Sequence, residues 1–112
     1  GEFMKKGLDD LAEIKHKVDN LHLKDNSDAF NTSRVEAIEL QNLFEVAEAT
    51  AISAFERNES RGAHARDDFP DRDDENWLCH SLFDPETKKV SKREVNFQPT
   101  QMEAFPPKIR TY

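Results

Sequence analysis

The chain has 112 residues, 36 per cent of them apolar and 35 per cent charged, and carries a net charge of −7. That length suits one small domain with a thin core, and the acidic balance argues against non-specific nucleic-acid binding, which draws on basic patches. A single cysteine, Cys79, excludes an internal disulfide and fits a reducing compartment.

No apolar run approaches the ~20 residues of a membrane helix, and no signal peptide is visible. Gly1, Glu2 and Phe3, standing before Met4, read as a cloning scar and are set aside from fold reasoning. Leu8, Leu11, Ile14, Val18 and Leu21 then recur at three- and four-residue steps. That spacing predicts an amphipathic helix over roughly residues 5 to 22. The polar, turn-forming run KDNSDAFNTS follows.

Ser33 and Glu36 fit a capping box at the start of a second helix, which the pattern extends from Ser33 to Ser60. Such a helix would be about 40 Å long. Gly62 suits the left-handed position just past its end. The helix carries a dense stripe of Ala37, Leu40, Leu43, Phe44, Ala47, Ala51, Ala54 and Phe55. A sparser set, Val35, Ile38, Val46, Ala49 and Ile52, lies on the opposite side. A surface helix needs one apolar stripe. Two stripes predict two packing partners, and the first helix can cover only one.

Beyond Gly62 the helical period stops, and RDDFPDRDDEN reads as a loop around Pro70. WLCHSLF and KVSKREVNF flank the turn-prone DPETK and predict a β-hairpin. The end, AFPPKIRTY, is stiffened by proline and read as extended. The expected fold is mainly α: an antiparallel helical pair, a truncated three-helix bundle of spectrin-like form, followed by an irregular loop and a small hairpin. The expected division is 1–3 scar, 4–62 helical part, and 63–112 irregular tail with the hairpin.

The stretch from Glu59 to Ser81 concentrates the chemistry. His64, Asp67, Asp68, Asp71, Asp73, Asp74 and His80 are all metal-ligand types, yet no HExxH or paired CxxC spacing occurs. DRDDEN lacks the glycine and closing glutamate of a calcium loop. The favoured reading is a solvated acidic loop paired with Arg61, Arg66 and Arg72. Cys79 and His80 are adjacent, so on a strand they point to opposite faces and cannot form a nucleophile–base pair. Cys79, with Trp77, Leu78 and Leu82 around it, reads as a small buried apolar residue. His64 with Asp67 or Asp68 could do acid–base work only with a pocket the sequence does not supply. His16 and His22 read as exposed. No glycine-rich phosphate cradle exists. What remains is the alternation of charge through Glu59, Arg61, His64, Arg66, Asp68, Asp71, Arg72 and Asp74, with Glu59, Arg61, His64, Arg66 and Arg72 as the candidate interface; it suits either docking against a complementary protein surface or pairing within the chain. Spacing alone leaves both open.

RVEAIELQNLFEVAEATAISAFERNESRGAHARDDFPDRDDENWLCHSL, followed by AFPPKIRTY, resembles the C-terminal domain of the succinate dehydrogenase flavoprotein subunit. ESRGAHAR, residues 59 to 66, resembles the wider succinate dehydrogenase and fumarate reductase flavoprotein family, while DFPDRDDENWLCHSL and PPKIRTY resemble the bacterial succinate dehydrogenase form. The resemblance covers residues 4 to 112. It implies a parent enzyme that oxidises succinate to fumarate, with covalently attached FAD accepting the hydride. Electrons then pass to an iron–sulfur subunit and, through membrane-anchor subunits, to quinone. It implies a place on the cytoplasmic side of the bacterial inner membrane. The family's flavin-linking, substrate-binding and proton-transferring residues have no counterpart here. No catalytic, cofactor-binding or metal residue is therefore carried over, and these residues alone are expected to be inactive. The resemblance also implies that a first bundle helix is missing, so that the bare stripe promotes self-association. It casts the charged run as a docking surface for the flavin-binding domain of the same chain. The alternatives are a fumarate reductase or L-aspartate oxidase flavoprotein, or a stand-alone acidic helical adaptor.

Overall fold

The computed structural model describes residues 1–21 and 31–108. Two long helices, α1 (Glu2–Asp19) and α2 (Thr32–Glu56), precede a one-turn helix, α3 (Asp74–Trp77), and a hairpin of β1 (Cys79–Asp84) and β2 (Lys89–Glu94). The mainly helical architecture with a small antiparallel hairpin is the one the periodicity predicts. His22, most of the KDNSDAFNTS run, and residues 109–112 of the tail lie outside the described residues.

The first helix begins earlier than its apolar spacing indicates, because Glu2 and Phe3 lie within it. It also ends earlier, at Asp19. The Asn20 side chain donates to the His16 carbonyl at 2.7 Å and takes up an acceptor the helix leaves orphaned. Met4, Leu8 and Leu11 are half-buried along one face, and Val18 is buried. This face meets α2 around Phe44, itself 7 per cent exposed. Val18 and Phe44 are the buried hydrophobic residues among those described, so the core is a narrow seam. The Lys15 ammonium sits 5.7 Å from the centre of the Phe44 ring. The Gly1 amine lies 2.9 Å from Asp68, close to the residues that close the far end of α2. The two helices are thus antiparallel.

Two expectations for α2 are corrected. Its N-cap is Asn31, whose side chain accepts from the Arg34 amide at 2.9 Å, so the Ser33–Glu36 capping box does not open it. Asparagine caps as well as serine does, and it stands two residues nearer the start. At the other end, the backbone turns extended at Arg57 (ψ 103°), and Gly62 does not terminate the helix. Gly62 does adopt a positive φ of 58°, but within the tight turn where Arg61 and His64 exchange backbone hydrogen bonds. The helix is therefore four residues shorter at its C-terminus than the apolar pattern implies, ending at Glu56 instead of Ser60.

The hairpin falls where the runs flanking DPETK place it, although Trp77 belongs to α3 and not to the strand. Asp84 pairs with Lys89 across the turn, and Cys79 with Glu94 at the open end. The Asp84 carboxylate accepts from the amides of Glu86 and Thr87, and Lys88 takes a positive φ of 56° to close the loop. Lys88 then reaches Glu48 on α2 and brings the hairpin against the helix. Cys79 and His80 do point to opposite faces. Cys79 is half-buried, short of the full burial expected for it.

Candidate functional site

The segment between α2 and β1 folds around one carboxylate. Glu59 is 0 per cent exposed, the most enclosed large side chain among the described residues. Its Oε1 accepts from Arg57 Nη1 at 2.6 Å and from Arg61 Nε at 2.8 Å. Its Oε2 accepts from Arg61 Nη2 at 3.1 Å and from the Asp73 amide at 2.9 Å. A buried carboxylate with one partner would tend to neutralise. Burial does push Glu59 up, but the hydrogen bonds from Arg61, the Asp73 amide and Arg57 outweigh it. They hold the carboxyl below its ordinary range.

Each donor ties a different piece of chain to this centre. Arg57, the residue after α2, donates from Nη1 to the Trp77 carbonyl at 2.9 Å. From Nη2 it donates to the Cys79 carbonyl at 2.6 Å and the Ser81 hydroxyl at 3.1 Å. One guanidinium so fixes the start of β1 to the end of α2. It also lies 5.2 Å from the Trp77 ring centre, while Lys92 of β2 lies 3.6 Å from it. The Asp73 amide is the entry to α3, which the Asp73 carboxylate caps by accepting from Glu75 and Asn76. Arg61 continues to Asp74, which also pairs with Arg72. These two partners raise the Arg61 guanidinium's affinity for its proton, chiefly through Glu59.

Arg66 performs the task expected of Gly62. It is 6 per cent exposed, and its Nη1 donates to the carbonyls of Phe55 and Arg57, groups that α2 leaves without helical partners. His64 Nε2 donates to the same Arg57 carbonyl at 3.1 Å. The other edge of the Arg66 fork grips Asp68 at 2.9 and 2.7 Å. Together with the Gly1 amine it holds that carboxyl far below the carboxylate range. The Phe69 and Phe55 rings stand 4.8 and 5.9 Å from the guanidinium carbon. Ser60 completes the loop, accepting from the Arg66 amide at 2.9 Å and donating to the Phe69 carbonyl at 2.7 Å.

The acidic residues of the stretch do pair with Arg61, Arg66 and Arg72, and the loop also folds around the buried Glu59. Of the five residues singled out for docking, Glu59 and Arg66 are enclosed by this chain itself. Arg61, His64 and Arg72 are half-buried and line an open cavity of about 770 Å³. Among the described residues, no three His, Cys, Asp or Glu side chains come together as a metal cage. The sequence reading missed Arg57, whose guanidinium bonds Glu59, Trp77, Cys79 and Ser81. It also missed α3, whose Asp73 followed by Asp74 and Glu75 is a short capping signal. No described helix is long and apolar enough to cross a membrane.

The arrangement is a charged latch. It makes a helix end, two turns and a hairpin into one unit. Those features define a class of small domain, helical in its body and locked by arginine–carboxylate pairs. The chain belongs to the fumarate reductase flavoprotein C-terminal family, whose profile it matches over residues 1–112. It is 47 per cent identical to the succinate dehydrogenase flavoprotein subunit of Coxiella burnetii over 107 residues, covering 96 per cent of this chain and 18 per cent of that protein. It is 39 per cent identical to the mitochondrial succinate dehydrogenase [ubiquinone] flavoprotein subunit of Oryza sativa subsp. japonica, covering 99 per cent of this chain and 18 per cent of that protein. The fumarate reductase flavoprotein subunit of Haemophilus influenzae is 46 per cent identical over 79 residues, or 70 per cent of this chain and 13 per cent of that protein. The chain spans about a fifth of the length of these relatives.

Proposed function

We propose that these residues are the C-terminal structural and docking domain of a succinate dehydrogenase flavoprotein subunit. The observation that carries this reading is similarity running nearly end to end with a subunit of that name, at 47 per cent identity. The whole subunit would oxidise succinate to fumarate with FAD as hydride acceptor and pass electrons to an iron–sulfur subunit and membrane anchors. It would lie peripherally on the cytoplasmic face of the inner membrane. These residues do not themselves fit a flavin. Gly7 lies inside α1 and Gly62 in the Arg61–His64 turn, so no glycine run cradles a phosphate. This chain alone should not turn over succinate.

In this reading the latch gives the domain a rigid charged face. Arg61, His64 and Arg72 meet the flavin-binding body, while Glu59 holds Arg61 from beneath and Arg66 closes the end of α2 behind them. Replacing Arg61 or His64 in the full-length subunit should impair assembly or stability. Lost turnover with normal assembly and flavin content would overturn the docking role. The bare second stripe of α2 would let the isolated chain self-associate.

A fumarate reductase flavoprotein is the second reading, favoured by the 46 per cent identity to the Haemophilus influenzae subunit over the shorter span. Succinate oxidation and fumarate reduction rates measured on the full-length complex distinguish the two.

A further inference from the structure

We propose that the cavity between the Arg61–His64 turn and the Pro107–Lys108 segment seats a single carboxylate side chain of the surface on which this domain docks. This rests on the docking reading above and names the chemistry of its anchor.

The cavity holds about 770 Å³, within the range of small-ligand sites. Three separate stretches wall it, and its charged lining is Arg61, Arg72 and Lys108 against Asp71 and Asp74. The chain as a whole has 16 cations to 23 carboxylates. The sign is therefore reversed here, with one positive charge in excess (three less two).

Both guanidiniums are held before any ligand arrives. Arg61 is fixed by Glu59 and Asp74, and Arg72 by Asp74 at 2.8 Å and the Lys108 carbonyl at 2.8 Å. Ordering long side chains is a main cost of binding polar groups, and here that cost falls on folding. A neutral His64 ring spends its one N–H on the Arg57 carbonyl, so it serves as wall and not as donor.

The charge balance selects the ligand. Arg61 Nη1 and Arg72 Nε carry no hydrogen bond to the described residues, and N–H groups of this kind donate well to the two oxygens of a carboxylate. A phosphate dianion would be repelled by Asp71 and Asp74 with only one net positive charge to offset it. An open cavity among docking residues fits an aspartate or glutamate projecting from a folded surface.

The test titrates the isotope-labelled 112-residue chain with a blocked Gly-Glu-Gly peptide, its Gly-Gln-Gly counterpart and sodium acetate, reading amide shifts at Arg61, Gly62, His64 and Arg72. The glutamate peptide should saturate those shifts at least about tenfold more tightly than the glutamine peptide. Arg72→Gln should weaken it about tenfold. Lys108→Gln, which removes a cationic head but keeps the backbone carbonyl that holds Arg72, should weaken it about threefold without disturbing the spectrum elsewhere. Equal response to both peptides, or shifts away from the cavity, would overturn the inference. Acetate saturating as tightly as the glutamate peptide would assign the cavity to small free acids and overturn the side-chain source. Should the peptides fail while Arg72→Glu still impairs assembly of the full-length subunit, docking stands and the carboxylate anchor falls. Peptide binding with assembly unaffected would sink docking and leave the site.

Discussion

Arg66 Nη1 donates to the Phe55 carbonyl at 2.5 Å, so a side chain eleven residues downstream closes the end of α2. Helices commonly end on a glycine whose backbone turns left-handed. Here the chain leaves the helix extended, and a guanidinium satisfies the carbonyls that a glycine cap would have turned inward.

Replacing Arg66 tests that closure. Arg66→Ala strips the Phe55 and Arg57 carbonyls of a donor and removes the cation beside Phe55 and Phe69, and it should cost about 2 to 3 kcal/mol. Arg66→Lys keeps the charge but cannot fork to Asp68 while reaching Phe55, so it should recover less than half of that loss. Urea unfolding followed by the single tryptophan, Trp77, measures both. Equal stability of the lysine variant and the parent would show that charge alone matters here.

Glu59→Gln keeps the shape of the latch and removes its anion. Arg57 and Arg61 would then face an amide, part of it a donor, and the loss should be about 3 kcal/mol. Stability should also fall with acid in a definite window. The folded-state pKa of Glu59 is lowered from 4.5, so its contribution is complete above about pH 4.5 and is lost as pH falls through the lower folded value. Asp73 and Asp74 are lowered as well and act in the same direction. Urea midpoints should decline below pH 4.5 in the parent and less steeply in Glu59→Gln. Parallel declines would exclude Glu59 as a principal titrating group.

Gly62→Ala isolates a backbone effect, since among the described residues no atom lies within 4 Å of where the new methyl would go. The φ of 58° should cost about 1 kcal/mol, and Gly62→Asn less, because asparagine tolerates the left-handed region better. Thermal melts of the two variants read this directly, and an alanine variant as stable as the parent would contradict the turn geometry.

Along α2, Val35, Ile38 and Val46 are all at least half exposed, Val46 at 65 per cent. Ile38→Gln with Val46→Gln should leave the fold within about 0.5 kcal/mol of its parent, as surface changes do. The pair should lower self-association in sedimentation. A parent that stays strictly monomeric at high concentration would dispose of the self-association proposal.

Much of the fold was legible in the order of residues. The turn-prone DPETK between WLCHSLF and KVSKREVNF marks the hairpin, and Leu8, Leu11 and Val18 mark the inward face of α1. Periodicity of this kind reports which face meets apolar matter, and burial follows for Phe44. It is silent on how far a face is covered, so Leu43, counted in the dense stripe, stands 65 per cent exposed.

Helix ends and the latch were not legible in the same way. Local signals put the start of α2 at Ser33 and its end near Ser60, one residue late and four residues late, since Asn31 and Arg66 won the capping positions. Composition and spacing by themselves determined a small acidic helical chain with a hairpin and a knot of opposed charges. Only the tertiary structure decided that Glu59 is the knot's centre. Its partners come from residues 57, 61 and 73, and Arg57 reaches on to Trp77, Cys79 and Ser81. Those meetings depend on chain reversals after α2 and after Pro70, which bring into hydrogen-bonding distance groups that no periodic pattern relates.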